Sequence, residues 1–194
     1  MENERVRIQL NDLQGARPVE ARLAALSVFA VMDTVQDASL GGIEFTLEYL
    51  NGGSQAIELF NPIDHIQYTL VDVEGYPLPS PPYVPRLLIH SDDDPRVRLE
   101  NKFLIVAMRH NDSDENIVDA LRKEKITLTA GGRYAITLRI HKIPDPSASG
   151  EMIALPAAPY KIALTCSLVT AAESSGEQNL FRVLESPQIA VVVE

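Results

Sequence analysis

The chain has little of what most function classes are read from. Its 194 residues include one cysteine, Cys166, so no intrachain disulfide can form. There is no tryptophan and only 6% aromatic residues, which leaves few stacking platforms for a sugar site. Basic residues are the minority: 17 Lys and Arg against 27 Asp and Glu give a net charge of -10 and a pI near 4.9. A polyanion therefore meets a repulsive field, which argues against nucleic acid and anionic membrane as partners. The longest apolar run, Leu23 to Met32, is ten residues interrupted by Ser27, half of the ~20 that cross a bilayer. The opening Met1-Glu2-Asn3-Glu4-Arg5 lacks the basic and apolar regions of a secretion signal. With the lone cysteine, these absences set the expectation of a cytoplasmic protein without membrane insertion. Catalytic signatures are missing too: no Gly-x-Ser-x-Gly, no His-Glu-x-x-His and no glycine-rich phosphate loop.

What is present is an ordinary globular composition, 45% hydrophobic and 23% charged, in a chain long enough to bury a core without metal or disulfide staples. The dominant signal is period-2 alternation in short runs bounded by Gly, Pro, Asn and Asp, the pattern of half-buried antiparallel strands. In Ile43 to Tyr49, one face carries Ile43, Phe45, Leu47 and Tyr49, and the other Glu44, Thr46 and Glu48. After the Gly52-Gly53 turn come Ile57 and Leu59, then Ile66, Tyr68 and Leu70 until Glu74-Gly75. Later runs repeat the logic: Ile126 and Leu128; Tyr134, Ile136, Leu138 and Ile140, with Arg139 and His141 outward; and Tyr160 through Leu168. In the last of these Cys166 shares the apolar parity, as a buried small hydrophobe would. Ile189, Val191 and Val193 form a closing strand, Leu26 to Met32 an early one, and Arg5 to Gln9 an edge strand or arm. Only Ser113 to Lys123 and Asp12 to Leu23 hold helical signals. Many short strands with few helices predict an all-β sandwich or barrel.

Several turns carry a resemblance. Phe45 to Gly53, with Asn61-Pro62 leading to Asp72-Val73-Glu74-Gly75, resembles the front half of bacterial immunoglobulin-like modules. Leu128-Thr129-Ala130-Gly131-Gly132 resembles their leucine-x-proline-glycine hairpin, with Ala130 in place of the proline. Leu155 to Ile162 resembles the turn that carries a corner tyrosine, which implies that Tyr160 donates a hydrogen bond to nearby backbone. The family these turns resemble is the bacterial intracellular proteinase inhibitor-like group. The resemblance implies a fold and, beyond it, an inhibitory or protein-binding role, and it transfers no functional residue.

Candidate sites are few. Pro77 to Pro85 holds five prolines in nine residues and is necessarily extended and stiff. It loses little entropy on docking, so Pro79, Pro81, Pro82 and Tyr83 are the expected partner-binding residues. The plain alternative is a rigid loop packed on its own sandwich. Asp112, Asp114 and Asn116 have the spacing of a calcium loop's first ligands, but Ile117 and Lys123 stand where glycine and the bidentate glutamate belong. His90 and His110, each beside carboxylates, lack the close pairing of a zinc site. Arg96, Arg98, Lys102 and Arg109 read as a charge-balanced loop beside Asp92 to Asp94. No metal and no cofactor are expected.

The whole predicts an all-β, immunoglobulin-like antiparallel sandwich of about seven to nine strands. Residues 1–20 form an arm or edge strand, and residues 21–194 one domain with a long irregular insertion over 77–119. The expected function is a non-catalytic protein-binding module, acting through loops or an edge strand on another protein or on copies of itself. Its rivals are an intracellular proteinase inhibitor, a structural subunit of a larger assembly, and an enzyme whose site does not show in the sequence.

Overall fold

Alternation has the outcome expected of it, with one parity of each run turned inward. The computed structural model describes residues 4–13, 21–79, 103–145, 151–170 and 181–194. Its strands in chain order are β1 (Arg5–Gln9), β2 (Asn11–Asp12), β3 (Leu26–Asp33), β4 (Val35–Gln36), β5 (Ile43–Asn51), β6 (Ile57–Phe60), β7 (Ile66–Val71) and β8 (Leu104–His110). They continue as β9 (Ser113–Asp114), β10 (Lys125–Leu128), β11 (Arg133–Ile140), β12 (Lys142–Pro144), β13 (Met152–Ala154), β14 (Pro159–Val169), β15 (Phe181–Glu185) and β16 (Ile189–Val193). Among the described residues the α-helical segments are α1 (Ala21–Ala24) and α2 (Ile117–Arg122), the latter capped by Asn116, whose side-chain oxygen accepts from the Val118 and Asp119 N–H groups. The described chain is thus all-β, built as two six-stranded sheets, antiparallel except where β4 meets β16, and two two-stranded ribbons, β6 with β10 and β12 with β13, around a common apolar interior.

One sheet runs β1-β3-β5-β11-β8-β9. In the other, the eleven-residue β14 pairs with β7 on one edge and with β15 and β16 on the opposite edge. β15 and β16 behave as one strand broken at Ser186-Pro187. There the Ser186 N–H donates to Leu164 O, and its Oγ accepts from the Leu164 N–H, each at 2.9 Å. The hydroxyl takes the acceptor's place in the ladder, so the break leaves no orphaned donor.

Two segments cross between sheets. β1 pairs with β3 while β2, two residues on, pairs with β15; β3 pairs with β5 while β4 runs parallel to β16. These crossings cover the outer edge of the second sheet, whose backbone groups would otherwise offer a template for another chain. Arg182 secures one of them. Its guanidinium donates to both Asp12 carboxylate oxygens, at 2.7 and 3.1 Å, and to the Leu23 and Leu26 carbonyls, at 2.7 Å each.

Inside, Phe103 bridges the layers, edge-on to Phe45 of β5 and tilted against Tyr68 of β7, at 5.9 and 5.4 Å between ring centroids. Cys166 is fully buried, and burial pushes its thiol up to about 12, the inert state its parity predicts. Tyr160 donates from its hydroxyl to Pro156 O at 2.7 Å, the backbone bond that the corner-tyrosine resemblance implies. Tyr49 and Tyr68, in contrast, bury hydroxyls that have no hydrogen-bond partner among the described residues.

One expectation fails. The span 77–119 was expected to be irregular, yet Leu104–His110 is a full strand of the first sheet. A bulge at Val106 lets Ile105 and Met108, three residues apart, both face inward, which erases the period-2 signature.

Two outcomes follow for stability. Tyr160→Phe should cost about 1 kcal/mol by orphaning the Pro156 carbonyl, while Tyr49→Phe removes an unpaired buried hydroxyl and should be neutral or stabilising; urea denaturation of both variants reads the contrast. The Arg182 hydrogen bonds hold the Asp12 carboxyl below its usual 3.8. Because the folded pKa is lowered, the stabilisation is full above the unfolded value and is lost as pH falls through the folded one. Asp12→Asn should therefore cost on the order of 0.5–1 kcal/mol at neutral pH, and the gap to the parent protein should close in acid.

Candidate site on the outer face of the six-stranded sheet

The pairing of β5 with β11 runs without a slip from Ile43 opposite Ile140 to Leu50 opposite Arg133. It places Tyr49 and Tyr134 opposite each other on the inner face, and on the outer face Glu44 opposite Arg139, Thr46 opposite Thr137 and Glu48 opposite Ala135. β8 adds Ala107 opposite Thr137 and Arg109 opposite Ala135. Small side chains thus occupy the middle of the sheet, and long charged ones surround them. The result is two adjoining hollows of about 440 and 330 Å³ that share Glu48, Asp112, Arg133 and Ala135.

The rim is ordered by ion pairs. Arg139 grips Glu44 through two nitrogens, at 2.7 and 3.2 Å, and also donates to Leu40 O at 2.9 Å. Arg7 pairs with Glu48 at 3.0 Å and lies over the Phe29 ring, its guanidinium carbon 3.5 Å from the centroid. Arg109 pairs with Asp114 at 2.7 Å. On the floor the Thr46 and Thr137 hydroxyls stand 2.9 Å apart, so one donates to the other and the second O–H is left for another acceptor. Asp112 reaches the hollows from the turn between β8 and β9, where Asn111 and Asp112 take φ of 49° and 64°, a backbone state that Asn and Asp tolerate best. Arg5 and Arg133 line the same trough and make no ion pair among the described residues.

Of the residues singled out from sequence, Asp112 and Arg109 line the hollows, and the other described ones fall elsewhere. Pro77 and Leu78 lie along β7: Pro77 bridges to Val71, and the Leu78 N–H donates to Leu70 O at 2.8 Å, so the start of the proline-rich segment covers a sheet edge. Pro79 is exposed, while Pro81, Pro82 and Tyr83 lie outside the described residues, as do His90, Arg96, Arg98 and Lys102. Asp112, Asp114 and Asn116 do not converge: Asp114 is held by Arg109 and Asn116 caps α2. His110 is spent on structure, with Nε2 3.0 Å from Thr127 O and its ring edge-on to Tyr134. Among the described residues no three metal-ligating side chains gather, and no helix is long and apolar enough to cross a membrane.

Sequence reasoning missed Arg5, Thr46, Arg133, Ala135 and Thr137 as a group. Their outward parity was legible, but which strands lie side by side was not. Compared with models of protein families, with curated proteins and with solved structures, the chain matches none.

Arg7 and Glu48 are 51% and 41% exposed, so Arg7→Ala should cost less than about 1 kcal/mol. A thermal melt showing a larger loss would mean that this rim holds the fold together and is not spare surface.

Proposed function

We propose that the chain is a non-catalytic protein-binding module of the immunoglobulin-like type, and that its recognition surface is the trough on the outer face of the six-stranded sheet. The trough itself carries the reading. It is a polar, charge-rimmed hollow on a sheet face whose opposite side is a filled core, a place where a ligand docks without disturbing the fold. Strand order supports the fold type. With β3, β5, β7, β8, β11, β14 and the β15–β16 strand taken as seven successive strands, one sheet orders them first-second-fifth-fourth and the other third-sixth-seventh. That is the arrangement of constant-type immunoglobulin domains. The bond from Tyr160 to Pro156 O and the parallel pairing of β4 with the last strand support it further. β1 and the β6–β10 ribbon are additions to that plan.

The proline-rich segment is a second surface of the same module. Pro79, exposed, follows the Pro77–Leu78 contact with β7, and Tyr76 beside that contact is 69% exposed, so the described start of the segment offers an accessible ring. The reading sets the module in the cytoplasm, where a lone buried thiol stays reduced.

Affinity capture from the native lysate tests this with three forms: the parent, Ala135→Trp to fill the trough, and a flexible linker in place of residues 79–85. A partner retained by the parent and lost with Ala135→Trp, at unchanged melting temperature, is the expected result. Loss with the linker alone moves the surface to the proline-rich segment. A captured protease favours the inhibitor reading and copies of the chain an assembly subunit. Retention by all three forms removes both surfaces.

A further inference from the structure

We infer that the outer face of the second sheet is a self-association surface, on which a second copy of this chain packs face to face about a two-fold axis. The inference goes beyond the reading of the trough, which lies on the far side of each copy.

The two outer faces carry charge very differently. That of the first sheet is crowded with arginines and carboxylates, Asp33 opposite Arg5 among them. On the second, β14 lies between β7 and the β15–β16 strand and turns outward Lys161, Ala163, Thr165, Ser167 and Val169. Among the described residues the strands of this sheet turn outward two charges, Lys161 and Glu185, and neither makes an ion pair there. Copies of a chain with net charge -10 repel each other over most approaches, and a face with one charge of each sign removes that barrier.

Apolar groups stand at both ends of one diagonal. At one end Val169 lies opposite Phe181, which is 64% exposed, and Ser167 opposite Val183, whose carbonyl accepts from the Leu13 N–H. At the other, Lys161 lies opposite Val71, and the turn that follows holds exposed Val73 and Tyr76.

The charges share that diagonal. Glu185 stands opposite Thr165, four residues along β14 from Lys161, so their α-carbons are roughly 14 Å apart with Ala163 near the midpoint. A two-fold axis through this point, at right angles to the line, sets Lys161 of each copy over Glu185 of the other. The same rotation lays the Phe181 end of each copy over the turn of Val73 and Tyr76 in the other. The face is therefore self-complementary in charge and in apolar contact, as an isologous interface must be. Small side chains in its middle admit the ~10 Å approach of packed sheets. Four strands by the eleven residues of β14 give roughly 700 Å² per copy, near the ~800 Å² per partner of a stable interface. Pro77 and Leu78 on one side, and β2 and β4 on the other, close the edges of this sheet, which leaves its face to a copy. On the reading of the trough as a partner surface, such a dimer is bivalent, its two troughs facing away from each other.

Sedimentation of the full chain over a range of concentrations tests this, and a reversible dimer is the expected result. Ala163→Arg sets like charges together at the axis and should weaken it about tenfold or more, at unchanged melting temperature. Lys161→Glu and Glu185→Lys should each weaken it, and the two together should restore it, a rescue that only this pairing provides. Phe181→Ser should weaken it too, while Ala135→Trp, in the trough, should leave it unchanged. The inference is overturned by a chain that stays monomeric at millimolar protein, by failure of the double exchange to restore the dimer, or by an equal loss with Ala135→Trp. A monomer that loses a captured foreign protein with Ala163→Arg gives the face to that protein and overturns the second copy. The trough reading fails separately: a captured partner kept by Ala135→Trp removes the trough and leaves the dimer standing.

Discussion

The register between β5 and β11 is the constraint on which both sides of this molecule depend. Side chains alternate across a strand, so a one-residue slip would exchange the two faces, sending Phe45, Leu47 and Tyr49 to solvent and Glu44, Thr46 and Glu48 into the core. The unslipped pairing sets Tyr49 against Tyr134 inside and Thr46 against Thr137 outside. Core and trough are two readings of one ladder.

Both ends of that ladder are pinned. At one end Asn51 is buried, and its carboxamide donates to the Gln55, Leu128 and Thr129 carbonyls and accepts from the Gly53 N–H. Its backbone exchanges hydrogen bonds with Gly131 and Gly132, and Gly131 supplies the φ of 70° that the turn requires. At the other end, a Cβ on Gly42 would drive into the Ile140 carbonyl oxygen, so only glycine lets the two backbones approach this closely. Gln36 adds a side-chain imitation of a strand there, exchanging hydrogen bonds with the Glu44 backbone in both directions. These polar contacts are each worth little more than 1 kcal/mol net, but leaving any of them unmade inside the fold would cost more. They therefore act on register more than on total stability.

The edges follow a different logic. The second sheet is closed on one side by β2 and β4, arriving from strands that leave the first sheet, and on the other by Pro77 and Leu78 laid along β7. β1, at the margin of the first sheet, carries Arg5 and Arg7 facing outward. Charge on an edge strand discourages pairing with another chain, and here the same arginines extend the trough.

The alternation of Ile43 to Tyr49, of Tyr134 to Ile140 and of Tyr160 to Leu168 determined by itself that these segments are strands and which side chains are inward, because parity is local. It determined the burial of Cys166 for the same reason. The strand at Leu104–His110 escaped it, since a bulge resets the parity within the run. Neighbourhood was settled only by the tertiary structure: that β11 lies between β5 and β8 depends on how two sheets bury their apolar faces together. Arg5, Thr46 and Arg133, remote in sequence, form one surface only because that packing makes them neighbours.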